Sequence, residues 1–209
     1  MLALPLRTKL YADEWYVGDT NLASARGLVQ QYHYSRSASP QGVHLHGLFL
    51  RGDFQCYGVA WWIPAMAGTI NRYNPGGIRT TLTLHRLVVH PAVPTNGASF
   101  LLGRSIRRIA ADGRYNTLVT YADTWRGHTG AIYKATNWHY EGLSGAYTIW
   151  LDENGNLKSK RDGLAGRNHV TPQQLQAEGC ASAGQYAKHV YTMRLKLKAQ
   201  PTQFALWSA

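Results

Sequence analysis

The sequence predicts an α+β fold, a mixed and mostly antiparallel sheet with flanking helices, in a single domain over residues 1–209. Three observations carry that reading. Two apolar, β-branched runs, 81–90 and 117–122, are each followed by a helical pattern. Alternating segments that read as hairpins lie on either side of this pair, over 43–62 and 147–160. The segment 96–112 between the runs is amphipathic, with Ala98, Leu102, Ile106 and Ile109 on one face and Arg104, Arg107 and Arg108 opposite.

In chain order, residues 1–18 are mixed, rich in aromatics and acids from Tyr11 to Tyr16. The opening Met1-Leu2-Ala3-Leu4-Pro5-Leu6 is too short for a signal-peptide core, and no run of 18 apolar residues offers a membrane span. A cytoplasmic protein is the expectation. A helix is predicted over 21–31, capped by Asp19 or Thr20, with Leu22, Ala25, Val29 and Tyr32 on one face. It runs into Tyr32-His33-Tyr34-Ser35-Arg36-Ser37, which is polar, aromatic and basic without periodicity, and Ser39-Pro40-Gln41-Gly42 turns the chain. The first hairpin joins 43–50 to 54–62 through Arg51-Gly52-Asp53. His44 and His46 project to the same side of its first strand, as metal ligands or as a hydrogen-bonded or solvent-facing pair; without a third ligand nearby the second reading is favoured. Residues 64–80 read as a basic, glycine-rich loop whose Arg72 and Arg79 suit a phosphate backbone.

The centre of the chain is Leu84-His85-Arg86-Leu87-Val88-Val89-His90-Pro91 followed by Thr95-Asn96-Gly97-Ala98-Ser99. Strict alternation places Arg86 with Leu82, Leu84 and Val88, where a buried guanidinium needs a partner. Thr95 or Asn96 caps the next helix, whose first N–H groups and roughly half a positive charge can hold an anion or a polar cofactor tail; a junction that binds nothing is an equal reading. The strand 117–122 ends at Asp123, a position where α/β folds place chemistry. A loop over 125–128, a helix near 129–135 and a strand over 138–142 follow, then a hairpin 147–151/157–160 across Glu153-Asn154-Gly155-Asn156. Lys158-Ser159-Lys160-Arg161 with Arg167 reads as a solvated basic face. Thr171-Pro172-Gln173-Gln174 is a capping box. In the last strand, 189–198, Tyr191, Met193, Leu195 and Leu197 face in, while Thr192, Arg194, Lys196 and Lys198 face out. The distant Cys56 and Cys180 are not expected to pair in a cytosolic chain.

Lysine and arginine number 22 against 11 acids, for a net charge of +11, which points to a polyanionic partner and first to nucleic acid. Arg36, Arg72, Arg79, Arg104, Arg107 and Arg108 are the candidate contacts to double-stranded DNA; for the last three, a solvated helix face or a cofactor phosphate is an equal reading. Seven tryptophans and thirteen tyrosines can stack on bases or fill the core. Core filling is the expectation for Trp61 and Trp62, with Tyr32 and Tyr34 as stacking candidates.

The order of elements resembles the GCN5-related N-acetyltransferase fold. That family's glycine-patterned pyrophosphate loop is replaced here by Pro94-Thr95-Asn96-Gly97-Ala98-Ser99, which keeps small residues only. His33-Tyr34-Ser35, Gly58-Val59-Ala60, Leu84 to Val89, Asn96 with Ala98-Ser99, Tyr121-Ala122-Asp123, Gly127-His128 with Gly130, Tyr133 and Asn137-Trp138 together resemble the Mom family of phage DNA-modification proteins. The resemblance implies conversion of adenine in DNA to N6-carbamoylmethyladenine, which protects the DNA from host restriction. It implies that His33, Tyr34, Arg86, Ser99 and Asp123 serve activity, and it associates iron(II) with the family. His33 and Asp123 are two candidate ligands, with Tyr34, His128 or His139 as a third. Asn96, Gly97, Ala98 and Ser99 would hold an acyl-CoA or another acyl donor. Two further readings stand beside this one: a conventional acyl-CoA N-acyltransferase for a protein or small-molecule amine, and a non-catalytic basic DNA-binding accessory protein.

Overall fold

The computed structural model describes residues 8–37, 39–158 and 170–196. Its elements are β1 (Trp15–Asp19), α1 (Leu22–Tyr32), β2 (His44–Leu50), β3 (Cys56–Pro64), α2 (Ala67–Tyr73), β4 (Thr81–Val89), α3 (Gly97–Asp112), β5 (Thr117–Asp123), a 3-10 turn (Thr124–Arg126), α4 (Ala131–Ala135), β6 (His139–Leu143), β7 (Tyr147–Leu151), β8 (Leu157–Lys158), α5 (Pro172–Ala177), β9 (Ala181–Tyr186) and β10 (Lys188–Arg194). They form two compact units, one of residues 1–120, 131–140 and 191–209, the other of residues 121–130 and 141–190. The sheet is mixed and flanked by helices, as the sequence predicts.

The first unit is built on a sheet in the order β1-β2-β3-β4-β5-β10-β6, to which the last three strands give residues 117–120, 191–194 and 139–140. β1 to β4 pair antiparallel in sequence, and β4 runs parallel to β5 over Thr81 to Thr83 against Thr117 to Val119. Trp61 and Trp62 are fully buried, so both fill the core. Trp61 packs with Ala25, Leu28 and Val29 of α1, the stripe that gives this helix its position. The α1 cap is Asn21, whose side chain accepts from the Ser24 N–H. Neither Asp19 nor Thr20 serves, because Asp19 ends β1 and Thr20 N–H donates to Leu45 O, which continues the ladder.

Several elements differ from the sequence expectation. β1 and β9 were hidden, since Trp15 is the one buried side chain of β1 and Ala181 to Tyr186 carries none. Residues 64–80 are not all loop: α2 occupies part of them, anchored by the single buried Ile70. The buried stripe of α3 is Gly97, Leu101, Leu102, Ser105 and Ile109, not Ala98 and Ile106. The stripe turns through a serine because the Ser105 hydroxyl is satisfied inside, 2.7 Å from both Trp62 Nε1 and His46 Nδ1. His44 and His46 are accordingly an interior pair, with ring centroids 5.2 Å apart. Thr192 faces in, not out, as part of the buried run Val190, Tyr191 and Thr192. Arg194 is exposed but tied, donating to Asn74 and Thr117 side chains. The cluster Ser159, Lys160, Arg161 and Arg167, and the end of the predicted last strand at Leu197 and Lys198, lie outside the described residues.

In the second unit β7 pairs antiparallel with β8 and β9. Trp150, Val170, Leu175 and Cys180 make a small core. The capping box predicted at Thr171 is present, with the Thr171 side chain accepting from Gln174 N–H and the Gln174 side chain from Thr171 N–H. Both cysteines are free thiols.

Candidate active site

The segment after α1 is closed by local bonds. His33 N–H donates to Val29 O, and Arg36 N–H turns back to His33 O, which puts Arg36 in the left-handed region at φ 47°. His33 Nδ1 accepts from the Ser35 N–H at 3.2 Å and lies 2.9 Å from its hydroxyl. A neutral ring held this way carries its proton on Nε2. The Tyr34 ring stacks on the His33 ring at 4.4 Å.

β4 supplies the cation. The ladder between β3 and β4 pairs Trp61 with Arg86 and Trp62 with Leu84, leaving His85 as the extra residue of a bulge. The bulge replaces the strict alternation predicted for this strand, and two successive side chains reach one segment. His85 Nε2 accepts from Ser39 N–H at 2.9 Å, and Arg86 Nε donates to Ser37 O at 2.8 Å. Arg86 also donates to His85 O at 2.7 Å. Burial pushes the Arg86 guanidinium down, and the neighbouring Tyr34 phenol raises it. Arginine stays charged in proteins, and no carboxylate among the described residues pairs with it. Thus His33, Tyr34 and Arg86 come together as one half-buried, cationic and aromatic group.

The β4–α3 junction is more occupied than an open cradle. Asn96 stands at the N-cap of α3, but its side chain does not cap. It accepts from Leu10 N–H at 2.6 Å and donates to Leu10 O at 3.1 Å, clasping the chain ahead of β1. Gly97 is buried, and a Cβ there would collide with Val93, so its glycine serves close packing. Gly97 N–H donates to Pro94 O, Phe100 N–H to Asn96 O, and the Ser99 hydroxyl to Asn96 O at 2.9 Å. The amides of Ala98 and Ser99 remain as first-turn donors outside the helix's own ladder, at the positive end of a 16-residue helix. They fit the anionic tail of a donor.

Asp123 belongs to the second unit, at the end of β5, and is buried. The Tyr147 hydroxyl lies 2.9 Å from each of its oxygens, Trp125 N–H donates to Oδ1 at 3.2 Å, and Lys188 Nζ is 3.7 Å from Oδ2. Lys188 also stands 4.8 Å over the Tyr147 ring. Tyr147 and Lys188 were not legible as site residues, lying 24 and 65 positions along the chain with no motif around them. The one hint was that a buried strand-end carboxylate requires donors. This carboxylate already has them, and His128 and His139 are exposed. Among the described residues no group of three His, Cys, Asp or Glu is arranged to hold a metal ion. His33 lies in the first unit and Asp123 in the second.

Of the candidate DNA contacts, Arg36, Arg72, Arg79, Arg104 and Arg107 are exposed in the first unit. Arg104 lies over the Phe100 ring at 5.3 Å. Arg108 is committed to Asp19 at 2.8 Å.

Comparison with solved structures finds acetyltransferase folds. The ribosomal-protein-alanine N-acetyltransferase of Escherichia coli superposes with a TM-score of 0.53 at 12% identity, over 91% of this chain and 99% of that one. A Salmonella typhimurium protein solved with its cofactor acetyl-CoA gives 0.51 at 11% identity, over 91% and 99%. The fold is therefore that of the GCN5-related N-acetyltransferases. No protein of curated function matches the sequence. The family model described as the Mom protein family matches residues 14–204.

Proposed function

Because the chain belongs to the Mom protein family, we propose that it modifies adenine in DNA at N6, forming N6-carbamoylmethyladenine and so protecting phage DNA from restriction. The family match over residues 14–204 carries the reading. The net charge of +11 and the exposed arginines of the first unit support a DNA partner.

The N6 amine of adenine is a weak nucleophile inside a paired stack, so the base must leave the duplex, at a cost of a few kcal/mol. Tyr34, steadied by His33, offers the extruded ring an aromatic face. Arg86 supplies a fixed positive charge beside it. The proton that leaves N6 requires a basic acceptor; the carboxylate that the second unit offers is Asp123, oriented by Tyr147 and Lys188. In the exchange an N6–H bond is replaced by an N6–CH2 bond, and the bond from that CH2 to the rest of the donor breaks. The Ala98 and Ser99 amides would hold the donor's anionic tail, with Asn96 and Gly97 shaping the loop that presents them. An acyl-CoA bound there would supply a thioester-activated acyl group. Transfer through a plain acetyl carbonyl gives an amide; the carbamoylmethyl product needs a donor reacting through its CH2, or a glycyl group joined through its carbonyl and then rearranged to the isomeric product.

The test is mass spectrometry of nucleosides from DNA of cells expressing the protein. Carbamoylmethylated deoxyadenosine is expected. Unmodified deoxyadenosine, with well-expressed folded protein, overturns the reading. The fold also suits a conventional acyl-CoA N-acyltransferase, as the Salmonella protein was solved with acetyl-CoA. Calorimetry with acetyl-CoA showing no binding removes that alternative.

A further inference from the structure

The turn between β2 and β3 carries a feature that none of the roles above uses. Phe54 is 100% exposed, more than any other large hydrophobic side chain among the described residues. Single exposed apolar residues are common, but this one is held out by a built turn. Gly52 takes the left-handed conformation at φ 81°, and Asp53 N–H closes onto Leu50 O at 3.1 Å. The Asp53 carboxylate then accepts from Gln55 N–H at 2.9 Å and from the hydroxyl of buried Tyr57 at 2.8 Å. Arg51 N–H donates to Glu14 O at 2.7 Å, anchoring the other side. Phe54 therefore projects from a fixed base, with the exposed guanidinium of Arg51 in the same turn. Beside it lies a groove of about 340 Å³ lined by Leu28, Gln31, Tyr32, Gln55 and His90. Tyr32 directly precedes His33 and Tyr34 in the chain.

We propose that Phe54 is a wedge that enters between stacked base pairs of duplex DNA and opens the stack for the target adenine. The inference rests on the adenine-modification reading. An apolar side chain inserted at a base step unstacks it and kinks the duplex, which is the work an N6-modifying enzyme has to do before any chemistry. A phenyl ring exchanges water for base faces, Arg51 meets the phosphate flanking the opened step, and the glutamines and His90 of the groove offer hydrogen bonds to unpaired base edges. The overall positive charge favours DNA as the occupant.

The test compares wild type, Phe54→Ala and Phe54→Leu on one target sequence, supplied as duplex and as single strand. Nucleoside mass spectrometry gives the rate, and 2-aminopurine next to the target reports unstacking. For Phe54→Ala we expect a loss of roughly tenfold or more on duplex and less than about twofold on single strand, where no stack has to open. Phe54→Leu, still an apolar wedge, should recover most of the duplex rate. Equal rates for Phe54→Ala and wild type on duplex, or equal losses on both substrates, overturn the proposal. If wild type modifies neither substrate, the adenine reading fails by itself. The wedge is then judged by 2-aminopurine alone: wild-type binding should raise its fluorescence in duplex and Phe54→Ala should not, and an unchanged signal with bound wild type sinks it.

Discussion

The Tyr147 hydroxyl sits 2.9 Å from both carboxylate oxygens of Asp123, a single donor shared across the whole acid. The acid is buried, with Lys188 Nζ 3.7 Å from its Oδ2. This contact organises the second unit where β5 ends, because the same carboxylate caps the 3-10 turn at Trp125.

Tyr147→Phe keeps the ring and removes the donor. The buried carboxylate then loses a charge-assisted hydrogen bond, and unfolding free energy should fall by about 1–3 kcal/mol. Urea denaturation at pH 7 measures it. Lys188→Met should cost less, because the ammonium is partly exposed and beyond hydrogen-bond distance. Equal losses for the two variants would contradict this ranking.

His46 gives the protein an acid limit. Burial, then His44 and Arg108, push its pKa down to about 4, while Asp19 opposes. Burial and then Arg86 push His85 down to about 4 as well, and burial lowers His44. An unfolded histidine takes its proton near pH 6.5, whereas the folded ring refuses it until about pH 4. Their contribution is thus complete above the unfolded value and is lost as pH falls from about 6.5 to about 4, on the order of 3 kcal/mol for His46. Urea midpoints at pH 7 and pH 4.5 should differ by less in His46→Gln than in wild type, with the His85 share remaining. An identical pH dependence in the two proteins would rule out His46 as a source.

Arg86→Lys tests the guanidinium. A lysine's ammonium donates from one point and cannot reproduce the planar, spaced Nε and Nη1 bonds to Ser37 O and His85 O. Modification should drop at least about tenfold, while DNA affinity at fixed salt stays within about twofold, since one contact of many is altered. A parallel loss of affinity would make Arg86 a DNA contact instead.

Arg104→Glu with Arg107→Glu tests the α3 face. If both meet phosphates, the slope of log affinity against log salt should shrink by about two. Arg108 is the built-in comparison, because its pairing with Asp19 predicts a loss of stability on reversal. A salt slope unchanged in the double variant excludes the α3 face from DNA binding.

The fold was legible where periodicity and burial agree. The strand ending at Val89, the helix from Gly97 and the Thr171 capping box lie within a residue or two of their predicted places. It was illegible where one anchor sufficed. α2 is held by Ile70 alone, and β1 by Trp15, so neither shows a pattern. Arg86 stood out as a strand residue requiring a partner, and His33 only through the family resemblance; their partners are backbone oxygens of 37 and 85 and a neighbouring serine, which spacing cannot announce. Asn96 illustrates the converse. It has the residue type of a cap at the position of a cap, yet a contact 86 positions away claims its side chain.

The bulge at His85 bears on how this chain can tolerate insertions and deletions. Removing His85 would let the β3–β4 ladder close without interruption, with Trp61 still opposite Arg86 and Trp62 still opposite Leu84. Such a shortened strand keeps its partners, yet the tether from Ser39 to the imidazole disappears with the residue. A single missing codon would then leave the sheet its pairing and cost the segment at residue 39 its hold on β4.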